Sequence, residues 1–342
     1  MKILVGISGG VDSAAAAKIL ISEGHAVEGA VLIMHEHTEL AAAREVASEV
    51  GILLHEIDCR ASFESIVKAD FVEEYLRGRT PNPCIICNQR VKFENLYRYA
   101  RENGFDAIAT GHYARVVKVG EGDARRLAIS MAGDGKKDQS YMLYRLPQHV
   151  LSSLVLPLSE LDKSRVRAMA DSAGISAAER SDSQEICFLP DGDHAEYIES
   201  VAGKCPEGDF ISPDGSVLGR HKGIIRYTVG QRKGLGIALG ERVFVTDINA
   251  ERNTVTLSPD MLGRTHIELS DVVFSGMKMP DEPTRITVDV RIRYTAPLVE
   301  AEALISPDGR VALSFGSPVK AAPGQSAVAY ENGVVLFGGY IG

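Results

Sequence analysis

The chain has 342 residues, 45% hydrophobic and 24% charged, which is long enough for two or three globular domains. Its formal net charge of −9 argues against binding to nucleic acid through overall electrostatic attraction, but leaves room for a local basic face. It has no signal-peptide pattern and no long apolar run, which predicts a cytoplasmic protein with no membrane partner. Its five cysteines are too few and too scattered for a secreted disulfide framework.

The first 110 residues, approximately, alternate strand-like and helix-like patterns. Strands are predicted at KILVGI, AVEGAVLI, ILLHEID and DAIATGH, and helices at 12–24, 39–51, 61–76 and 91–103. This alternation predicts an α/β fold with a doubly wound parallel sheet. Ligands of such sheets bind at the carboxyl ends of the strands, where the segments SGGVDS and TGH both lie.

The remainder of the chain changes character twice. Residues 115–200 look mixed, with helical patterns at KDQSYMLYRL and LSELDKSRVRAMADSAG. After about residue 205, short alternating stretches separated by turn residues predict β structure in small barrels. We therefore predict an N-terminal α/β domain at 1–200, a small central β-rich domain at 201–265 and a C-terminal β-barrel at 266–342.

The segment SGGVDS at 8–13 connects the first strand to the first helix. A glycine-rich turn of this kind points backbone N–H groups at an anion, and the helix N-terminus adds a favourable partial charge. The segment is neither a Walker A loop nor a GxGxxG dinucleotide loop. The alternative is a tight turn capped by Asp12 or Ser13, but its position after the first strand favours a phosphate site.

SGGVDS resembles the pyrophosphate loop of ATP pyrophosphatases, which cleave ATP between the α and β phosphates and adenylate a substrate oxygen. The resemblance implies an adenine nucleotide alpha hydrolase-like fold that uses ATP and Mg²⁺, with Asp12 as a candidate magnesium ligand. Leu32 and Gly111 are expected to line the adenine and ribose. The expected phosphate-binding residues are Gly6, Ile7, Ser8, Gly9, Gly10, Val11, Asp12 and Ser13.

Further segments resemble one subfamily, the tRNA-specific 2-thiouridylases. They are RGRTPNPCIICNQRVKF at 77–93, ATGHYAR at 109–115, KDQSYML at 137–143, SDSQEICFLP at 181–190, HKGIIRYTVGQRKGLGI at 221–237, RIRYTAP at 291–297 and APGQSAVAY at 322–330. The resemblance covers nearly the whole chain in the family's order. It implies ATP-dependent 2-thiolation of the wobble uridine (position 34) in tRNAs with Lys, Glu or Gln anticodons. The sulfur would come from a cysteine desulfurase or a relay protein.

Replacing a carbonyl oxygen by sulfur requires a leaving group and a protected sulfur nucleophile. Adenylation supplies the first, and a cysteine persulfide released by a second thiol supplies the other. By resemblance, Cys187 carries the persulfide and Cys87 resolves it, giving a transient Cys87–Cys187 disulfide that is compatible with the cytosol. Cys59 and Cys205 belong to no motif and are expected to be structural.

Cys84 departs from the family, which often has at this position an aspartate proposed as an acid/base group. Three interpretations remain open: a passive thiol, a redox partner for Cys87, or a ligand, with Cys87 and Cys187, of an iron–sulfur cluster that delivers sulfide. A structural zinc is disfavoured because zinc prefers four ligands. We favour the persulfide route over the cluster.

The family's contacts with RNA map onto two further sets of residues. By resemblance, the target base is surrounded by Asn82, Pro83 and Cys84, after extrusion of the uridine into a pocket. The family's tRNA-contacting positions correspond to His112, Lys137, Asp138, Gln139, Arg293, Tyr294 and Gln325, although residue type alone would make most of these ordinary core or surface residues. Gln184 is expected to position the persulfide loop. No DNA partner is expected.

Two other classes of function remain. Another pyrophosphate-loop enzyme, such as an amidotransferase-type or lysidine synthetase, would need ammonia or lysine rather than paired cysteines. A non-catalytic RNA-binding protein would not need an intact SGGVDS segment. A monomer is the default expectation.

Overall fold

Five parallel strands at the N-terminal end form the sheet that organises the molecule. The structure is a computed structural model that describes residues 1–122, 125–135, 137–179, 186–189, 192–260 and 263–342. The strands are β1 (Lys2–Gly6), β2 (Ala26–Ile33), β3 (Leu54–Asp58), β4 (Ala107–Ala109) and β7 (Leu154–Val155). Their order is β3-β2-β1-β4-β7, and every neighbouring pair is parallel.

Helices cover both faces of this sheet, as the predicted doubly wound fold requires. Alternate residues of β1 point to opposite faces: Ile3 and Val5 belong to one apolar cluster and Leu4 to the other. The first cluster includes α1 (Val11–Ser22), α2 (Leu40–Val50) and α9 (Lys163–Ser172). The predicted fold class is therefore confirmed for this part of the chain.

The helical segments of the second face each contain a π turn. Arg60–Ser62 (α3) and Ala69–Leu76 (α4) flank the π turn Phe63–Lys68, and Pro83–Cys87 (α5) and Phe93–Glu102 (α6) flank the π turn Asn88–Lys92. The predicted helix at 91–103 thus begins earlier, at Pro83. Asn82 is the reason, since its side chain accepts a hydrogen bond from the Cys84 N–H at 3.2 Å and Pro83 fits the first helical position.

The middle of the chain contains short elements and a small mixed sheet. Its helices are α7 (Ser140–Leu143), α8 (Gln148–Leu151) and α10 (His194–Ala202), with 3-10 turns at Ser176–Glu179 and Ile224–Arg226. Its strands are β8 (Gly208–Ile211), β9 (Val217–His221), β10 (Phe244–Asn249) and β11 (Thr254–Ser258). They pair in the order β10-β11-β8-β9, with β11 and β8 parallel, so this unit is an open sheet and not a barrel.

Six antiparallel strands close into the C-terminal barrel. They are β12 (Arg264–Phe274), β13 (Thr284–Arg291), β14 (Val299–Ile305), β15 (Val311–Val319), β16 (Ser326–Glu331) and β17 (Val334–Ile341). Pairing of β12 with both β15 and β17 closes the ring. The hairpin β5 (Arg115–Val119) and β6 (Arg126–Ser130), which the sequence analysis did not predict, extends this sheet through the pair Ser130–Val334. The predicted C-terminal barrel is confirmed.

None of the helices in the described ranges combines the length and the apolar character that a membrane crossing requires.

A buried ion pair joins the catalytic part of the chain to the barrel. The Asp138 carboxylate accepts hydrogen bonds from Arg291 Nη1 at 2.8 Å, from Ser140 Oγ at 2.8 Å and from the Ala132 N–H at 3.2 Å. The Asp138 side chain is fully buried, and that of Arg291 is 10% exposed. The Ser140 hydroxyl lies 3.1 Å from the hydroxyl of Tyr330 on β16, which extends the network into the barrel.

We expect Asp138→Ala to lower the free energy of unfolding by about 3–5 kcal/mol, because it leaves the Arg291 guanidinium buried without its carboxylate partner. Urea unfolding followed by circular dichroism measures this. Asp308→Ala is the matched control, since Asp308 pairs with Arg310 at the surface and its loss should change the midpoint little. Equal effects of the two substitutions would contradict a structural role for the Asp138 pair.

Candidate nucleotide and thiol site

The N-terminus of α1 is shaped as an anion site. Gly10 is the N-cap residue, and its position supplies no side-chain hydrogen bond to the first turn. The amides of that turn therefore remain available to an anionic ligand. A tight turn capped by Asp12 or Ser13 was the disfavoured alternative. The Ser13 hydroxyl does hold the turn, donating to the Gly10 carbonyl at 2.9 Å and accepting from the Ser8 N–H at 3.2 Å. The Asp12 carboxylate instead bonds to Tyr113 and Lys163.

Two glycines allow this loop to pack closely on its neighbours. Gly9 has a φ of +84°, and a Cβ there would lie 2.7 Å from the Cβ of Ala42 on α2. A Cβ on Gly111, just beyond β4, would lie 2.6 Å from the backbone carbon of Asp12. The carboxyl ends of β1 and β4 are thus held in direct contact, as the sequence predicted for SGGVDS and TGH.

Asp12 is already engaged by two residues of the protein. Its carboxylate accepts from the Tyr113 hydroxyl at 2.7 Å and from the Lys163 ammonium at 2.7 and 2.8 Å. These oxygens are the ones that the predicted Mg²⁺ would need, so the structure does not offer a preformed magnesium site at Asp12. The role of Asp12 in binding magnesium stays a prediction.

The predicted adenine and ribose contacts lie around the same edge of the sheet. Leu32 is the penultimate residue of β2, 9% exposed, and Ile7 follows β1 directly. The Ile7 N–H donates to the Ala30 carbonyl at 2.8 Å, which fixes the start of the loop against β2. Leu32, Gly111 and the 6–13 loop therefore share one end of the sheet, as the resemblance implied.

Cys84 and Cys87 lie on α5, beside that end of the sheet. Cys84 is exposed on the first turn of the helix, and Cys87 is buried on its last. The Cys87 Sγ lies 3.8 Å from the Sδ of Met34, the residue that follows β2. The cysteine helix and the nucleotide loop thus meet the same sheet, which is the juxtaposition that a thiol acting on an adenylated substrate requires.

Cys187 completes the group of thiols. It is exposed, and the rise in the Cys87 pKa, which burial causes first, includes smaller contributions from Cys187 and from the buried Cys59. Cys84 likewise raises the pKa of Cys187. Four of the five cysteines therefore share one neighbourhood, although 100 residues separate Cys87 from Cys187 in the sequence. All five are free thiols in this structure.

The environment keeps these thiols protonated. Burial raises the pKa of Cys87 to about 12, opposed by the positive charge of Lys92. Burial raises the pKa of Cys59 to about 11. Desolvation raises the pKa of Cys84 and of Cys187, and Lys92 opposes both shifts; backbone N–H groups of Cys187 and Phe188 also lower that of Cys187. A thiolate nucleophile therefore has to be generated here by added positive charge or by rearrangement.

The arrangement of the thiols bears on the iron–sulfur alternative. In the ranges that the structure describes, no group of three or more His, Cys, Asp or Glu side chains is arranged to hold a metal ion. Cys84, Cys87 and Cys187 thus do not form a ready cluster site in this conformation. Cys59, which the sequence analysis assigned a structural role, is buried at the end of β3 within this sulfur-rich region.

The predicted base-contacting residues form the start of α5. Pro83 is buried, and the Asn82 side chain is occupied by capping Cys84 and by a 3.6 Å contact from its Nδ2 to the Met142 Sδ. His112, predicted to contact tRNA, lies 2.8 Å from the Thr110 hydroxyl through Nδ1. Burial, assisted by Lys92, lowers the pKa of His112 to about 3, so the imidazole is neutral at physiological pH.

Some of the other residues predicted to contact tRNA are exposed, and others already make hydrogen bonds within the protein. Arg293 is exposed and Tyr294 half-buried, with its ring 6.2 Å from that of Tyr141. Burial raises the pKa of Tyr294, and the positive charge of Lys137 opposes part of that rise. Asp138 is buried in the ion pair described above, and Gln139 accepts from the Tyr113 N–H at 3.0 Å. RNA contact by these residues stays a prediction.

Gln325 belongs to a junction at the loop preceding α5. Its Nε2 donates to the Thr80 carbonyl at 2.6 Å, and the Thr80 N–H donates to the Pro323 carbonyl at 2.9 Å. The Thr80 hydroxyl also lies 3.2 Å from that of Thr228 in the middle of the chain. Gln325 thus supports the loop that leads into Asn82, Pro83 and Cys84, a structural role that the sequence did not reveal.

Three functional candidates escaped the sequence analysis. Tyr113 and Lys163 bind Asp12, and Lys92 influences all three active-site thiols. Tyr113 directly follows TGH at the carboxyl end of β4, so the argument that selected Gly111 could also have selected Tyr113. Lys163 comes from a distant helix and carried no sequence signal. Gln184 lies outside the described residues.

Comparison with known proteins places these features in a class. Residues 1–191 match the family model described as tRNA methyl transferase HUP domain, 195–259 the tRNA methyl transferase PRC-barrel domain, and 264–341 the aminomethyltransferase beta-barrel domain. The fold and the loop after β1 are accordingly those of a HUP-class α/β domain, which two β-rich domains follow in the sequence.

Curated relatives give the particular family. Proteins named tRNA-specific 2-thiouridylase MnmA from Acetivibrio thermocellus, Clostridium perfringens and Treponema denticola are 41%, 42% and 42% identical to this chain. The matches cover 99%, 99% and 100% of this chain and 99%, 98% and 98% of those proteins. The chain belongs to the tRNA-specific 2-thiouridylase family.

We expect Gly111→Ala to weaken ATP binding, because its Cβ would push α1 away from β4. Overpacking typically costs about 1–3 kcal/mol, which corresponds to a loss of affinity of roughly tenfold to a hundredfold. Isothermal titration with ATP measures it. Gly135→Ala is the matched control, since no atom lies within 4 Å of a Cβ there. Unchanged ATP affinity in a folded Gly111→Ala protein would remove this contact from the nucleotide site.

Proposed function

We propose that this chain is a tRNA-uridine 2-sulfurtransferase, which thiolates the wobble uridine (position 34) at C2 and forms AMP and pyrophosphate from ATP. The observation that carries the proposal is that the α1 N-terminus and the Cys87 thiol lie at the same end of one sheet, with the Cys87 Sγ 3.8 Å from the Sδ of Met34, the residue after β2. Relatives named for 2-thiouridylase activity that match over the full chain support it.

The first step is adenylation of the uridine C2 oxygen. The amides at the start of α1 bind the phosphates, and the helix dipole stabilises their negative charge. Lys163 is paired with Asp12 and so holds the first turn of α1 in place beside the phosphates. The C2 oxygen attacks the α phosphate and pyrophosphate leaves, so the oxygen becomes part of an AMP leaving group.

The second step transfers sulfur. The terminal sulfur of a Cys187 persulfide attacks C2 and AMP departs with the original oxygen. The Cys87 thiolate then attacks the Cys187 sulfur, forming the Cys87–Cys187 disulfide, and the electron pair of the broken S–S bond leaves on the sulfur bonded to C2 as 2-thiouridine. An external thiol reductant and a new persulfide donor restore the enzyme.

Burial of Cys87 suits this order of events. A resolving thiol with a pKa of about 12 stays protonated until it is needed, so it does not discharge the Cys187 persulfide prematurely. The exposure of Cys187 allows a donor protein to reach it. The difference between the two environments thus supports the carrier role for Cys187 and the resolving role for Cys87.

The substrate and partners complete the proposal. The tRNAs are those with Lys, Glu and Gln anticodons, the donor is a cysteine desulfurase or a relay protein, and the reaction takes place in the cytoplasm. The proposed domains are 1–200, 201–265 and 266–342. The family-model descriptions mention methyl transfer, but paired thiols beside an anion site are better suited to thiolation than to methylation.

Cys87→Ser and Cys187→Ser are each expected to reduce thiolation at least about a thousandfold while tRNA binding stays within about twofold, because only the chemistry needs the thiols. Quantification of 2-thiouridine by mass spectrometry after incubation with ATP, unmodified tRNA and a persulfide donor measures this. Cys205→Ser is the control, as Cys205 is buried outside the group of thiols. Full thiolation activity of Cys87→Ser would contradict the two-cysteine mechanism.

Cys84→Ser distinguishes the persulfide route from an iron–sulfur route. Under the proposal, protein purified without oxygen and freed of iron thiolates tRNA from a persulfide donor, and Cys84→Ser retains activity within about threefold. Iron content and 2-thiouridine yield are measured on the same samples. Activity that follows iron content and disappears in Cys84→Ser would replace the persulfide route with the cluster.

A further inference from the structure

Lys92 ends the π turn that follows the cysteine helix. The turn spans Asn88–Lys92, and the Phe93 N–H donates to the Asn88 carbonyl, five residues earlier. Five residues of a regular α-helix rotate the chain about 140° beyond one full turn, which would point Lys92 away from Cys87. A π turn closes over five residues and so returns residue 92 towards the face of residue 87. The π turn thus brings Lys92 nearer to the helix face that carries Cys87 than a regular α-helix would.

Lys92 lacks the acidic partner that a comparable lysine has. Lys68 ends the other π turn and pairs with Glu64, four residues earlier, at 2.9 Å. The residue four before Lys92 is the neutral Asn88, and no ion pair or hydrogen bond joins the Lys92 ammonium to another residue of the described ranges. The Asn88 side-chain amide donates to the Met142 carbonyl at 3.0 Å instead. The positive charge of Lys92 is therefore not neutralised locally.

The groups that respond to this charge are all at the proposed site. Burial raises the pKa of Cys84, Cys87 and Cys187, and Lys92 opposes each rise; burial lowers the pKa of His112, and Lys92 adds to that fall. Cys84, Cys187 and Cys59 also act on Cys87, and each of these opposes its ionisation. Among the described residues, Lys92 therefore contributes positive charge to this pocket, whereas His112 is neutral.

We propose that Lys92 is a positioning residue for sulfur transfer, which stabilises the Cys87 thiolate and the anionic sulfur at Cys187. This inference rests on the proposed function and deepens it. When Cys87 attacks, its thiol proton has left to water, the new bond joins the two cysteine sulfurs, and the broken S–S bond leaves its electron pair on the sulfur of the thiolated base. The base then takes a proton from water. Lys92 neither gains nor loses a proton in this sequence.

The test is Lys92→Met, with Arg90→Met as the matched control. Arg90 is an exposed cation on the same π turn, so its replacement removes an equal charge from the same helix. Iodoacetamide modification of each cysteine is followed by mass spectrometry between pH 7 and 10. We expect modification of Cys87 and Cys187 at pH 8 to slow on the order of tenfold in Lys92→Met and to change less than twofold in Arg90→Met.

Two further measurements distinguish the loss of the Lys92 charge from a structural effect of the substitution. Cys205, whose pKa responds to Glu199 and Arg226 and not to Lys92, should react at the same rate in all variants, and Lys92→Arg should restore most of the reactivity of Cys87. ATP-dependent pyrophosphate release with unmodified tRNA should be the same in Arg90→Met as in the unaltered protein. If the unaltered protein released no pyrophosphate, the proposed function would be refuted. The rates of cysteine modification by iodoacetamide would still test the role of Lys92.

The inference is overturned if Lys92→Met leaves the pH profile of Cys87 modification unchanged, or if Arg90→Met shifts it equally. Lys92→Gln, a second neutral variant at this half-buried position, provides the same measurement if Lys92→Met does not fold.

Discussion

The contact of α1 with Gly111 is the constraint on which the site depends. A Cβ at position 111 would lie 2.6 Å from the Asp12 backbone, so the helix N-terminus is held against the end of β4 as closely as a backbone allows. That contact brings Tyr113 to the Asp12 carboxylate, and Lys163 reaches the same group from α9. The anion site and the sheet edge beside the thiols are consequently one rigid unit.

The thiols occupy a very different environment only one strand away. An ATP site needs exposed amides and positive charge, whereas a sulfur carrier needs protection from water. The N-terminus of α1 follows β1, and Cys84 and Cys87 lie on α5, beside the end of β2. Burial raises the pKa of Cys87, and Lys92 offsets part of that rise. Under the proposed function, these two opposing effects set the fraction of Cys87 that is a thiolate.

The loop before α5 connects this chemistry to the rest of the molecule. Thr80 is bonded to Pro323 and Gln325 next to the barrel, and to Thr228 in the middle of the chain. Thr80 therefore links the loop that leads into Cys84 to both the barrel and the middle of the chain. Gly324 makes this close approach possible, since a Cβ there would lie 2.9 Å from the Arg79 Cβ.

The sequence was sufficient for the parallel sheet, the nucleotide loop and the C-terminal barrel, because each rests on local periodicity and turn residues. It was insufficient where distant segments meet. The hairpin β5–β6 pairs with the barrel through a single long-range pair, Lys163 reaches Asp12 across 151 residues, and the π turn that redirects Lys92 has no local sequence signal. The Cys87–Cys187 relationship was available only through family resemblance.

The most direct measurement is a single turnover with the protein carrying one isotopically labelled persulfide at Cys187, supplied with ATP and unmodified tRNA without external reductant. The account predicts one labelled 2-thiouridine and one Cys87–Cys187 disulfide per persulfide consumed, both detected by mass spectrometry. Labelled 2-thiouridine formed without that disulfide, or a disulfide formed without transfer of the label, would contradict it.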